Sequence, residues 1–223
     1  MSKKLFSEAI LKFSLGVVLV GALIFLPAFT WNYPGGWRLM AVLFIPMFLA
    51  GLVMMAKSPA LLRSRLDAKE KEKEQSQVVK FSGLMFLVGF LLAGFNFRFG
   101  WILLPEWVSW LGCVLFLGSY ALYGEVLREN AYLSRTIQVQ EGQTVVDTGL
   151  YGIVRHPMYF ATVILFLSMP LILGSVPTFI VFLAYPFLIA KRIANEEQVL
   201  EAELKGYREY REKVKYRMIP FLW

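Results

Sequence analysis

Long uninterrupted apolar blocks are the feature of this sequence that most restricts its fold. A helix needs ~20 largely uncharged residues to cross the hydrocarbon core of a bilayer, and at least four blocks of this chain are long enough. Hydrophobic residues make up 57% of the 223 positions and charged residues only 17%, which is unusual for a soluble domain of this length. The sequence therefore predicts an integral membrane protein built from helices.

Six apolar blocks follow one another along the chain. Their approximate bounds are 9–31, 36–56, 81–97, 107–127, 158–173 and 176–190. The first four pair into two hairpins, whereas the last two are shorter and form a tight helical hairpin that either spans, dips or tilts. We therefore expect an all-α polytopic fold with about six membrane helices and a small cytosolic cap from the C-terminal half.

Charge divides the chain into regions. Residues 1–127 contain the first four blocks and a connector, 57–80, in which Lys and Glu alternate densely, as is typical of a solvated segment that is helical in part. Residues 128–223 combine an apolar loop, the hairpin 158–190 and C-terminal helices that continue the sixth block and break near Gly206. We predict that this second region carries the function.

The distribution of basic residues predicts the orientation. If every block crosses, all 23 lysines and arginines except Arg38 and Arg98 fall on one side, which is the cytosolic side by the positive-inside rule. Both termini are then cytosolic. The net charge of +7 reflects this topology and contact with membrane lipids, and we predict no nucleic-acid partner. Cys113 and the single histidine are too few for a zinc site, so we predict no metal.

The segment TGLYGIVRHPMYF, residues 148–160, places that histidine beside a membrane helix. Pro157 suits the first position of a helix, and the amides of a helix N-terminus beside Arg155 and His156 form a natural anion pocket. The alternative is that these two residues mark the cytosolic border and contact headgroups. The residues here leave both interpretations open.

The next polar group follows the sixth block. Arg192 and Glu196 lie four residues apart and share a helix face, and Glu197 follows. Alone this is a surface ion pair, but the hairpin returns it to the membrane depth of His156. An anion pocket facing a carboxylate suits a zwitterionic ligand with ribose hydroxyls, and S-adenosylmethionine is such a ligand. Methyl transfer from it requires alignment and exclusion of water, and no metal.

Three motifs in order resemble one known family. They are T-G-x-Y-x-x-x-R-H-P-x-Y from Thr148, R-x-x-x-E from Arg192, and G-Y-x-x-Y-x-x-x-V from Gly206 with Ile219 and Pro220. Together they resemble the isoprenylcysteine carboxyl methyltransferase family of integral membrane enzymes over about 125–220. We interpret the chain as a prokaryotic-type member in the inner membrane. One position departs from the family pattern, since Ala161 replaces the usual glycine.

The resemblance implies a cytosolic S-adenosylmethionine pocket and a lipophilic or lipidated acceptor that arrives from the bilayer. Arg192 would be catalytic and would serve the acceptor carboxylate. Residues 128–223 would then be the methyltransferase core. The predicted cofactor-binding residues are Gln143, Thr144, Val145, Val146, Tyr151, Arg155, His156, Pro157, Met158, Tyr159, Glu196 and Glu197.

Three other functions remain open from the sequence. Phospholipid N-methyltransferases share similar R-H-P and E-E signatures, and membrane sterol reductases carry a related C-terminal half that binds NADPH. A non-enzymatic membrane scaffold is the third. Neither the methyl acceptor nor the oligomeric state follows from the residues.

Overall fold

The computed structural model describes residues 3–66, 73–130, 132 and 139–223. Its described part is helical, apart from loops and one isolated bridge between Leu103 and Ser175. The helices are α1 (Lys3–Ala28), α2 (Pro34–Lys57), α3 (Pro59–Leu66), α4 (Lys73–Phe99), α5 (Glu106–Glu129), α6 (Pro157–Ile172), α7 (Val176–Phe182), α8 (Ala184–Glu203) and α9 (Tyr207–Lys213), with a 3₁₀ turn at Gly149–Gly152. The expected all-α polytopic fold is confirmed.

Five segments of the described chain are long and apolar enough to cross a membrane. They are Leu5–Ala28, Pro34–Lys57, Ser76–Phe99, Glu106–Glu129 and Val176–Glu203, the last of which joins α7 and α8. The fifth apolar block forms α6, whose 16 residues extend only about 24 Å. This length is shorter than the ~30 Å hydrocarbon core. The hairpin is therefore asymmetric, with one short helix and one that continues well past the block.

The charged connector is helical at both of its ends. Residues 59–66 form α3, which packs the buried Leu62 against Leu5 and Met55 of the first hairpin. Residues 73–80 belong to α4. The middle of the connector, 67–72, lies outside the described residues, as do 131 and 133–138 of the loop after α5.

Close helix crossings hold the bundle together. A Cβ added at Gly94 of α4 would lie 2.6 Å from the carbonyl oxygen of Ile24 in α1. At Gly112 of α5 it would lie 2.9 Å from the amide nitrogen of Ile172 in α6. Small residues of this kind allow membrane helices to approach until their backbones touch. The glycines thus fix α1 on α4 and α5 on α6.

One end of the bundle is closed by Tyr33, which precedes α2. Its ring stacks on Phe97 with the ring centres 4.0 Å apart, and its hydroxyl donates to the carbonyl oxygen of Leu173 at 2.6 Å. Together, the contacts of Tyr33 with Phe97 and Leu173 join both N-terminal hairpins to the C-terminal one. The opposite end, which we call the α9 end, carries the 3₁₀ turn, the start of α6 and the end of α8.

Candidate active site

The turn that leads into α6 is shaped by glycine and by a carboxylate from α5. Gly149 has φ +55°, and a Cβ there would meet the Glu129 carboxylate at well under contact distance. That carboxylate accepts from the amide of Leu150 at 2.9 Å. Because only glycine tolerates both the positive φ and this close approach, Gly149 allows the Leu150 amide to anchor the turn to Glu129 at the end of α5.

Pro157 opens α6 and His156 precedes it at the N-cap position, as the sequence predicts. Arg155 and His156 are both buried. Arg155 Nε donates to Oε1 of Glu197 at 2.8 Å, and His156 Nε2 lies 3.2 Å from the same oxygen. Thus the anion that these two side chains hold is the carboxylate of Glu197 in α8.

The chain after α9 runs back across the start of α6. The amides of Arg155 and His156 donate to the carbonyl oxygens of Tyr216 and Arg217 at 2.9 and 2.7 Å. Arg155 Nη1 also donates to the carbonyl oxygens of Val214 and Lys215, at 2.6 and 2.8 Å. The segment 214–217 is therefore bound to this turn by both backbone and side chain.

A second polar chain joins α6 to α8. The hydroxyl of Tyr159 donates to Oε2 of Glu196 and accepts from Nε of Arg192 at 2.9 Å. Arg192 and Glu196 share a helix face as predicted, and Tyr159 bridges them from the facing helix. The guanidinium plane is fixed as a result.

These groups surround a cavity of about 90 Å³ at the α9 end. Eleven of the thirteen predicted site residues line it, and Pro157 and Glu197 do not. Pro157 sets the start of α6, and Glu197 lies behind the wall that Arg155 and His156 form. The lining residues that sequence reasoning missed are Asn130, Tyr132, Leu200, Leu204, Tyr207 and Tyr210.

Tyr207 and Tyr210 form the α9 side of the cavity. Burial is the main cause that raises the pKa of both phenols well above the ordinary value, and for Tyr207 the carboxylates of Glu197 and Glu196 add to it. Tyr210 donates to the carbonyl oxygen of Tyr151 at 2.8 Å. The Tyr207 hydroxyl is buried and has no hydrogen-bond partner among the described residues. An unsatisfied buried donor of this kind is uncommon, and the residue that carries it lines the cavity.

The fold and the site define a polytopic helical membrane protein with a polar, aromatic-lined cavity where a short apolar helix begins. Residues 110–202 match the sequence model of the Isoprenylcysteine carboxyl methyltransferase (ICMT) family. The matched segment is under half of the chain, and over it the chain is similar to that family.

A solved structure gives the same fold over nearly the whole chain. It is the eukaryotic intramembrane Ras methyltransferase ICMT (isoprenylcysteine carboxyl methyltransferase), which matches with a TM-score of 0.61 and 18% sequence identity. The match covers 96% of this chain and 77% of that one. At this identity the likeness establishes the fold.

A further relative comes from the curated proteins. Delta(14)-sterol reductase TM7SF2 of Mus musculus is 31% identical over 91 residues, which are 40% of this chain and 22% of the reductase. The chain thus spans about a fifth of the length of that relative.

Proposed function

We propose that this protein is a membrane-embedded methyltransferase that moves a methyl group from S-adenosylmethionine to the carboxylate of a small lipophilic acceptor. One observation carries the proposal. The R-H-P turn, the 143–146 strip and the Arg192–Tyr159–Glu196 chain line one cavity, at the start of a short apolar helix. The match of residues 110–202 to the isoprenylcysteine carboxyl methyltransferase family model supports the same reaction.

The cavity residues suit the methyl donor chemically. Glu196 offers a carboxylate to the donor's ammonium group or ribose hydroxyls, and the unpartnered Tyr207 hydroxyl offers a hydrogen-bond donor. Tyr151 and Tyr210 offer aromatic surface for a purine base. We propose that these residues, together with His156 and the 143–146 strip, hold S-adenosylmethionine, while Pro157 and Glu197 shape its site from behind.

Arg192 serves the acceptor in this proposal. When bound, the donor supplies an electrophilic methyl group on sulfonium, whose transfer to a carboxylate oxygen leaves a neutral thioether. A carboxylate is already a nucleophile and needs no general base, but it must be oriented in line. A guanidinium orients a carboxylate through paired N–H groups. Tyr159 and Glu196 hold that guanidinium in place.

We also propose the setting of the reaction. The acceptor enters from the bilayer, as a lipophilic molecule or a lipidated one. The multi-pass bundle sits with both termini in the cytosol, in a prokaryotic inner membrane, so that the cavity faces the pool of water-soluble donor. The charge distribution along the sequence supports this orientation.

Calorimetry on the detergent-solubilised protein tests the donor site. S-adenosylmethionine and S-adenosylhomocysteine should both bind, and Glu196→Ala should weaken binding by roughly tenfold or more, because a hydrogen bond to a charged group contributes ~1.5–3 kcal/mol. Glu201→Ala is the matched control, since Glu201 lies on the same helix as Glu196, does not line the cavity and pairs with Arg211 of α9. Absence of heat with both ligands would refute the proposal.

A reductase is the second candidate, favoured by the match to the sterol reductase. The same calorimetry with NADPH separates the two. Binding of NADPH with no binding of S-adenosylmethionine would establish the reductase reading in place of ours.

A further inference from the structure

Glu197 is a buried carboxylate that contacts two arginines and a histidine from two parts of the chain. Its Oε1 meets Arg155 and His156, and its Oε2 accepts from Arg217 Nε at 2.9 Å. The side chain of Glu197 is 4% exposed, as is that of Arg155, whereas that of Arg217 is 33% exposed. Because both carboxylate oxygens have partners, Glu197 joins α8 to the turn before α6 and to the segment after α9.

We propose that Glu197 and Arg217 are positioning residues, which fasten the segment 214–217 onto the R-H-P turn and thereby form the donor pocket. The inference rests on the proposed function for its ligand, although its structural part stands alone. It assigns a role to Arg217, which lies beyond the family segment 110–202.

The geometry explains why one carboxylate controls the whole turn. The backbone amides of Arg155 and His156 donate hydrogen bonds to the carbonyl oxygens of Tyr216 and Arg217. The hydrogen bond from Arg217 to Glu197 ties the segment that carries those carbonyls to α8. Removing the Glu197 charge leaves the buried Arg155 uncompensated, which is strongly destabilising locally. Removing the Arg217 guanidinium takes away the contact between the segment 214–217 and Glu197. The segment should then leave the turn.

Release of this segment would open the cavity wall. Arg155 and His156 line the cavity directly. Tyr207 and Tyr210 line it from α9, which leads straight into Val214. Both walls of the donor site therefore depend on the same fastening, whereas Arg192 is held separately by Tyr159. We expect donor affinity to suffer and turnover at saturating donor to be retained.

Hydrogen–deuterium exchange tests the fastening without any ligand. Glu197→Gln and Arg217→Gln should each speed exchange in peptides that cover Arg155 and His156 by about tenfold, since their amide bonds to the segment would open. Arg217→Lys should restore most of the protection. The matched controls are Glu201→Gln and Arg211→Gln, which remove a more exposed ion pair between α8 and α9.

Binding and kinetics then test the consequence. The two positioning variants should raise the dissociation constant for S-adenosylhomocysteine and the KM for the donor by about tenfold, with kcat within about twofold. Wild-type exchange rates in both Arg217→Gln and Glu197→Gln would overturn the inference, and so would unchanged donor KM despite faster exchange. If Glu197→Gln does not fold, the half-exposed Arg217 variants decide. If wild-type protein binds no donor, the proposed function fails, and the exchange data alone decide the fastening.

Discussion

At the scale of single residues, Tyr159 links the two polar groups of α8, because its hydroxyl contacts both Arg192 and Glu196. Glu196 and Glu197 are neighbours in sequence but face different partners. Successive helix positions point about 100° apart, so one carboxylate reaches the cavity and the other reaches Arg155. The R-H-P and R-x-x-x-E motifs predicted the cavity wall. They did not identify the partners of Glu197, since Arg217 comes from a distant segment whose docking no local pattern encodes.

The residue-scale prediction concerns the acceptor. Arg192→Ala should lower turnover by roughly 100-fold at saturating donor, because a misplaced acceptor loses in-line alignment. The dissociation constant for S-adenosylhomocysteine should change by less than about threefold, well below the effect of losing a charged hydrogen bond. Single-turnover methyl transfer and calorimetry measure the two quantities.

Lys191→Ala is the control for this variant, since Lys191 is the exposed basic neighbour on the same helix. Full activity of Arg192→Ala would show that no carboxylate is being oriented. That result would favour a phospholipid amine as the acceptor.

At the scale of helices, the sequence predicted a helix that continues from the sixth apolar block and breaks near Gly206. The apolar block itself ends near residue 190, and α8 continues to Glu203, where its polar half packs against α6 and α9. Tertiary contacts thus extend a helix beyond its apolar stretch. Leu183, which separates α7 from α8, keeps helical dihedrals and lies three residues before Pro186, whose missing N–H removes the bond to the carbonyl of Phe182.

Glycine crossings provide the element-scale prediction. Gly94→Val should destabilise the α1–α4 contact by roughly 1–3 kcal/mol, because the new side chain would overlap the Ile24 carbonyl and Pro27. Gly83→Val is the matched control on the same helix, since a Cβ there meets nothing within 4 Å. Thermal unfolding in detergent measures both. Equal unfolding temperatures for the two variants would contradict this packing.

At the scale of the whole molecule, the charge distribution along the sequence can be compared with the position of the cavity in the bundle. If every apolar block crosses, the sequence predicts that the basic residues other than Arg38 and Arg98 lie on one side of the membrane. The cavity lies at the α9 end and is lined by Arg155 and Arg192. Composition and block lengths sufficed to predict the polytopic helical fold. They did not predict which surfaces join, because the Tyr33–Leu173 and Gly112–Ile172 contacts depend on three-dimensional fit.

Orientation supplies the whole-molecule prediction. In intact cells, a membrane-impermeant maleimide should label Asn32→Cys, at an exposed position between α1 and α2, and should not label Lys205→Cys, which should react only after permeabilisation. The native Cys113 is buried and gives little background. The reverse labelling pattern would place the cavity outside the cell and would refute the proposed topology.

Methyl transfer into a membrane extract measures the proposed activity directly. Purified protein is incubated with methyl-labelled S-adenosylmethionine and lipid extract, and the extracted product is treated with base. We predict labelled lipophilic product that releases its label as methanol, because a methyl ester is base-labile. Product should be lost with Arg192→Ala and retained with Lys191→Ala. Label that stays in a base-stable product, or no label above a protein-free control, would contradict the account.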